Sequence, residues 1–116
     1  IHGEPGLKRI ALASADEIAA SLIQTLLQDL SLKAADKVIL LVNGFGGTPI
    51  LELYLMANAA RKMLNQANIT VSRTLTGNYA TALEMSGCSI TLACVDEGLL
   101  ELWDAPVHTS ALRWGM

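Results

Sequence analysis

A histidine near the start of the chain, His2, stands in a segment whose other residues shape the backbone. Residues 1–6 read Ile-His-Gly-Glu-Pro-Gly. The glycines allow a sharp turn and a close approach to a ligand, while Pro5 fixes its own φ and biases Glu4 towards an extended conformation. The segment is therefore predicted to be a loop that presents an imidazole. A neutral imidazole can act as a nucleophile near pH 7, and a solvated surface histidine is the alternative.

A glycine-rich stretch at residues 44–48 lies between a predicted strand and a predicted helix. A loop in that place has the geometry that binds phosphate at a helix N-terminus. However, it lacks the lysine of a P-loop and does not fit the dinucleotide-binding glycine pattern. A tight strand-to-helix turn is therefore favoured over a phosphate site.

Three further polar residues are candidates for function, each with a structural alternative. Glu52 falls on a largely apolar helix face, where we expect a hydrogen bond within the fold or a place at a partner surface. His108 lies in a tail without periodicity, between Asp104 and Trp114. A packing or interface role is predicted for this tail, and Asp104 alone is not a candidate base. Glu4 either orients the imidazole of His2 or faces solvent, and a structural role is favoured.

The first half of the chain alternates a helix, a strand and a second helix. Ser14 and Glu17 have the spacing of a capping box, which predicts a helix from there to about Leu30. The apolar run at residues 37–43 predicts a strand buried on both faces. Thr48 as N-cap and Pro49 at the first helical position then predict a second helix, which extends to about residue 64.

The second half of the chain is dominated by strands. The patterns predict a strand at 69–76, a short helix at 80–85, a strand at 88–95 and a helix at 97–103 that is capped by Asp96. Cys88 and Cys94 share one face of the third strand, roughly 20 Å apart at about 3.3 Å per residue. We therefore expect two free, buried thiols. The whole is an α/β unit with a partial mixed sheet flanked by helices.

Composition excludes several classes of function. The net charge is −3, whereas a nucleic-acid-binding protein needs a basic patch. No apolar run is long enough to span a bilayer, no signal peptide is expected, and no spacing of Cys and His suggests a metal. A cytoplasmic protein is expected. Apolar residues make up 52% of the chain, which predicts surfaces that something outside this chain covers.

The chain resembles the C-terminal portion of the K subunit of dihydroxyacetone kinase. The likeness begins with the histidine segment and continues in family order over nearly the whole chain. The matching blocks are Asn-Gly-Phe-Gly-Gly-Thr-Pro at 43–49, Glu-Leu-Tyr at 52–54, Gly-Asn-Tyr at 77–79, Ser-Ile-Thr-Leu at 89–92 and Leu-Trp-Asp-Ala-Pro-Val-His-Thr at 102–109. We expect residues 1–13 to be the active-site histidine loop and linker, and residues 14–116 to be an α/β unit. Because the chain begins with Ile1, we also expect it to be a piece of a two-domain K subunit.

The resemblance implies a substrate and a mechanism. His2 would bind dihydroxyacetone covalently as a hemiaminal, so that its terminal hydroxyl awaits phosphorylation. The phosphate would come from ATP, or from ADP recharged by the phosphotransferase system, held with magnesium on a separate L subunit or domain. No cofactor or metal is expected in this chain, a homodimer is expected for the intact protein, and the fragment alone should be inactive.

Two other classes of function are left open by the sequence. One is a paralogue that binds dihydroxyacetone as a regulatory ligand without phosphorylating it. The other is a structural or interaction domain whose glycine loop at 44–48 binds an anion. Residues upstream of Ile1 would distinguish this paralogue from a kinase, because the kinase would have an acid/base pair there and the paralogue could lack it.

Overall fold

The computed structural model describes residues 5–115, which form a mixed sheet flanked by helices. Within this range the elements, in chain order, are helix α1 (Ala15–Leu30), strand β1 (Lys37–Gly44), helix α2 (Ile50–Gln66), strands β2 (Thr70–Gly77) and β3 (Cys88–Cys94), helix α3 (Glu97–Asp104), and the short strands β4 (Val107–His108) and β5 (Arg113–Trp114). The predicted α/β architecture with a partial mixed sheet is confirmed.

Helix α1 begins at the predicted capping box. The Ser14 hydroxyl accepts a hydrogen bond from the Glu17 amide at 3.3 Å, and the Glu17 carboxylate accepts one from the Ser14 amide at 2.9 Å. Hydrogen bonds from the Ser14 side chain and then its backbone lower the pKa of Glu17. The helix ends where Ser31 adopts a left-handed conformation with φ of 52°. The prediction for this helix is confirmed at both ends.

Strand β1 lies at the centre of the three-stranded sheet that the described residues form. It pairs in parallel with β2 on one side and antiparallel with β3 on the other. Val38, Leu40 and Val42 belong to the main hydrophobic cluster, while Ile39, on the opposite face, is also buried. The apolar run is therefore buried on both faces, as its composition predicts.

The main core lies between the sheet and the pair α1 and α2. Small residues on both helices are fully covered there, including Ala19 of α1 and Ala60 of α2. Larger side chains fill the space around them, with Ile23 and Leu64 almost completely buried. Packed alanines allow the helices to approach closely, which explains how two helices cover one face of so small a sheet.

Helix α3 and the tail contact each other through their tryptophans. Asp96 caps α3 as predicted, since its carboxylate accepts from the Leu99 amide at 2.9 Å. The tail, predicted only to be non-periodic, forms the hairpin of β4 and β5. The rings of Trp103 and Trp114 lie 5.3 Å apart, and the Trp114 indole donates to the Ala105 carbonyl at 2.9 Å. These contacts support the predicted packing role of the tail.

The thiol prediction is confirmed in part. Both cysteines are free, and Cys88 packs against the core with its burial raising the pKa of the thiol. Cys94, however, is exposed, so the expectation that both thiols are buried is wrong. Cys94 is the last residue of β3, which among the described residues is an edge strand. The outer side of this residue therefore lacks a neighbouring strand.

Candidate functional site

The carboxyl ends of β1 and β2 meet at one edge of the sheet, together with the start of β3. Asn43 pairs with Gly77 across the parallel strands, and Gly44 pairs with Cys88 across the antiparallel ones. The loops at 44–49 and 78–87 therefore lie side by side. In open α/β sheets, ligands bind outside the carboxyl ends of the strands. This edge is thus the natural place for a site.

Asn43 joins the two loops through its buried side chain. Its carboxamide oxygen accepts from the amides of Tyr79 and Ala80, both at 2.9 Å, and its amide group donates to the Ala80 carbonyl at 2.9 Å. Asn43 is only 4% exposed, so these bonds replace those that water would make. Sequence reasoning assigned no role to Asn43, although a polar residue at the end of an apolar run was a usable signal.

The glycine loop packs backbone against backbone with residues 82–87. The amide of Phe45 donates to the Gly87 carbonyl at 3.2 Å, and the amide of Gly47 donates to the Met85 carbonyl at 2.9 Å. A Cβ on Gly46 would lie 2.1 Å from the Leu83 carbonyl oxygen. The glycines therefore permit close contact between two loops. This arrangement supports the favoured interpretation, a tight turn, over a phosphate site.

Two local predictions at this edge are wrong. Thr48 does not cap α2, because its hydroxyl accepts from the Gly87 amide at 2.8 Å and donates to the Gly87 carbonyl at 3.0 Å. Pro49 occupies the N-cap position and the helix begins at Ile50. The short helix predicted at 80–85 does not form either. Leu83 has a left-handed φ of 55°, and the Ala82 amide donates to the Phe45 carbonyl, so the glycine loop determines this segment's conformation.

His2 and Glu4 lie outside the described residues, so their predicted roles stay predictions. The linker that follows them, residues 5–13, is described and largely exposed. Leu7 and Ile10 line a cavity of about 750 Å³ together with α1 and the first residues of β3, including Cys88. Because Cys88 pairs with Gly44, the linker runs beside the edge that holds the glycine loop.

The remaining candidates are dispersed. Glu52 is exposed on α2, and its side chain has no hydrogen-bond partner among residues 5–115. Both oxygens of Asp104 accept hydrogen bonds from Arg73, one of them at 2.8 Å, which lowers the pKa of the carboxyl group. His108 is exposed, and its ring contacts the Arg113 guanidinium. Asp104 therefore has a structural ion pair rather than the environment of a base.

Between residues 5 and 115 there is no helix both long enough and apolar enough to cross a membrane. The same residues contain no group of three or more His, Cys, Asp or Glu side chains placed to hold a metal ion.

Comparison with known proteins gives a consistent set of relatives. Residues 1–111 match the family model described as the Dak1 domain. The chain is 41% identical to the dihydroxyacetone-binding subunit DhaK of the PEP-dependent dihydroxyacetone kinase of Escherichia coli, over 99% of the chain and 39% of that subunit. It is 41% identical to a DhaK subunit of a PTS-dependent kinase of Listeria innocua and 40% identical to the triokinase/FMN cyclase of Rattus norvegicus. These matches cover 96% and 98% of the chain, but only 34% and 20% of the relatives.

Solved structures give the same picture. A dihydroxyacetone kinase operon co-activator, Dha-DhaQ, is 34% identical with a TM-score of 0.84, over 91% of this chain and 34% of that one. A structure described as regulation of the dha operon of Lactococcus lactis is 34% identical with a TM-score of 0.87. The match covers 95% of this chain and 35% of that one. The chain therefore spans little more than a third of the length of these proteins.

Proposed function

Because the chain belongs to the Dak1 domain family, we propose that it is the substrate-binding part of a dihydroxyacetone kinase. The observation that carries this proposal is the 41% identity to a dihydroxyacetone-binding subunit over 99% of the chain. The structure supports it with a sheet edge at which the carboxyl ends of β1 and β2 meet the start of β3. The linker that follows the histidine segment runs beside this edge. The intact protein would be a K subunit, acting as a homodimer.

In the proposed mechanism His2 captures the ketone. A ring nitrogen of the neutral imidazole adds to the carbonyl carbon of dihydroxyacetone, forming a carbon–nitrogen bond as the carbonyl π pair moves to oxygen. The imidazole N–H proton is lost and the oxygen takes up a proton, so the product is a neutral hemiaminal and nothing is expelled. The adduct holds a terminal hydroxyl in place for phosphorylation, which is a proximity effect in covalent form. Glycerol has no carbonyl and is excluded.

Phosphoryl transfer in this proposal depends on groups outside the chain. A partner L subunit or domain would hold ATP, or ADP recharged by the phosphotransferase system, together with magnesium. The names of the relatives support such a donor, since they include PEP- and PTS-dependent kinases. We propose that these 116 residues alone neither hydrolyse ATP nor phosphorylate dihydroxyacetone. A cytoplasmic location follows from the nucleotide or phosphocarrier that the reaction requires.

A regulatory role is the second candidate function. It is favoured by the similarity to a dihydroxyacetone kinase operon co-activator, with a TM-score of 0.84. Such a paralogue would bind dihydroxyacetone without phosphorylating it. The third alternative, an anion-binding interaction domain, is less well supported, because the Phe45 and Gly47 amides of the glycine loop already donate to Gly87 and Met85.

A coupled assay distinguishes these functions. The protein at its natural length is mixed with a nucleotide-binding partner subunit and its phosphoryl donor, and dihydroxyacetone phosphate is measured. The kinase proposal predicts turnover that decreases strongly in His2→Ala. The other histidine of the chain provides a matched control, because His108→Ala removes an imidazole from the exposed tail and should retain turnover. Binding of dihydroxyacetone without turnover would favour the regulator instead.

A further inference from the structure

A second groove lies between α2 and the edge strand β2, away from the linker of the histidine segment. It has a volume of about 600 Å³, a size typical of small-molecule sites. Tyr54, Asn58 and Arg61 project into it from one stripe of α2, since their spacing is four and three residues. Strand β2 contributes Thr74 and Thr76, which lie on the same face of the strand.

The charge in this groove is unbalanced. Arg61 donates to the Thr74 hydroxyl at 3.4 Å and forms no ion pair among residues 5–115. Lys37, Lys62 and Arg73 each lie against a carboxylate. Four other basic residues also form no ion pair among residues 5–115, but they do not line this groove: Lys8, Arg9, Lys33 and Arg113. None of the described residues that line the groove is acidic. A guanidinium in a concave site without a carboxylate is suited to bind an oxyanion from solution.

Tyr79, at one end of the groove, is held in place by Gly77 and Asn43. Tyr79 lines that end, and its ring lies 3.0 Å from where a Cβ on Gly77 would stand. The Tyr79 amide is held by the Asn43 side chain. Tyr54 and Tyr79 remain 59% and 40% exposed, so their rings are available to an organic group. This end lies beside the carboxyl ends of β1 and β2, the edge at which α/β sheets bind ligands.

We propose that this groove binds a small organic phosphate monoester. The Arg61 fork and the hydroxyls of Thr74 and Thr76 provide several donors, which match the three acceptor oxygens of a phosphate better than the two of a carboxylate. The tyrosines at the other end contact the carbon skeleton. The proposed contacts use only described residues of α2 and β2, so this site does not rest on the capture of dihydroxyacetone by His2. A ligand here would be a product or an effector.

Isothermal titration calorimetry on the protein at its natural length tests the proposal, with glycerol 3-phosphate as the probe. Arg61→Gln should weaken binding by about tenfold or more, the usual effect of losing a hydrogen bond to a charged group. Lys62→Gln is the matched control, because it removes the same charge from the next position of α2 and should change the affinity less than about twofold, as for an exposed charge. Neutral glycerol should not bind.

Two further measurements test whether the phosphate monoester binds in this groove and whether its carbon skeleton contributes. The probe should still bind His2→Ala, because the residues proposed to bind it are Arg61, Thr74 and Thr76 and do not include His2. Inorganic phosphate should bind more weakly than glycerol 3-phosphate, and equal affinity would contradict the role given to Tyr54 and Tyr79. Equal loss of affinity in Arg61→Gln and Lys62→Gln, or no binding to the unaltered protein, would overturn the proposal.

Discussion

The hydroxyl of Thr48 makes a two-way contact with the backbone of Gly87, accepting from its amide at 2.8 Å and donating to its carbonyl at 3.0 Å. This contact ties the turn before α2 to the residue that precedes β3. Thr48→Val should destabilise the protein by about 1–2 kcal/mol, because the isosteric side chain leaves the Gly87 amide unpaired. Chemical denaturation measures the change, with Thr48→Ser as the control that keeps the hydroxyl. Equal stability of the Val and Ser variants would contradict this role.

The glycine loop should tolerate no side chain at Gly46. Its φ is +115°, and a Cβ there would lie 2.1 Å from the Leu83 carbonyl oxygen. We expect Gly46→Ala to cost at least about 2 kcal/mol of folding free energy. Gly98→Ala provides the comparison, since a Cβ on Gly98 would lie 3.6 Å from its nearest neighbour, an oxygen of Asp96. Alanine is also more favourable than glycine within helix α3, by about 0.5–1 kcal/mol. If both variants unfold at the same denaturant concentration, the inference that the two loops leave no space for a side chain at Gly46 is contradicted.

The two thiols should differ in reactivity. Cys94 is exposed and should be alkylated in the native protein, whereas Cys88 is half-buried and should react slowly. Because burial raises the pKa of Cys88, its reactive thiolate should form at a higher pH than that of an ordinary cysteine. Alkylation rates of the single-thiol variants Cys88→Ala and Cys94→Ala, followed by mass spectrometry against pH, measure both effects. Faster reaction at Cys88 would contradict this assignment.

The ion pair of Arg73 and Asp104 should make stability depend on pH. Hydrogen bonding to Arg73 lowers the pKa of Asp104 below its unfolded value, so the stabilisation is present at neutral pH. It is lost as the pH falls through the folded-state pKa, which lies below the ordinary aspartate value of about 3.9. Asp104→Asn should therefore lower the denaturation midpoint at pH 7 but not in strong acid. Glu101→Gln, on the same helix, is the control, and an equal effect of both variants at pH 7 would count against the pair.

Local signals in the sequence predicted most of the elements, because the groups that specify them are neighbours in the chain. Ser14 and Glu17 identify the start of α1, and Asp96 identifies the start of α3. The alternation in β3 places Cys88, Ile90 and Leu92 against the core, as found. The run at 37–43 contains only side chains that suit a strand covered on both faces.

The two errors at the glycine-loop edge share a physical cause, which is a partner distant in the chain. Thr48 has the pattern of an N-cap, but its hydroxyl bonds to Gly87, 39 residues away. Residues 80–85 have helical composition, yet the glycine loop pairs with Met85 through Gly47. Likewise, Asn43 and Arg61 acquire roles only when loops and strands are brought together. The proposed role of His2 rests on family resemblance, since residues 1–4 lie outside the described range.

The most direct test is to detect the adduct on His2. Protein at its natural length is incubated with dihydroxyacetone and examined by native mass spectrometry with peptide mapping, or by crystallography of the soaked protein. We predict a reversible addition at His2 of the whole mass of dihydroxyacetone, since no water is expelled, and none with glycerol. The adduct should weaken as the pH falls below the imidazole pKa, about 6.5 when unperturbed, and should be absent in His2→Ala. Free ketone beside an unmodified His2, with unchanged selectivity in His2→Ala, would contradict it.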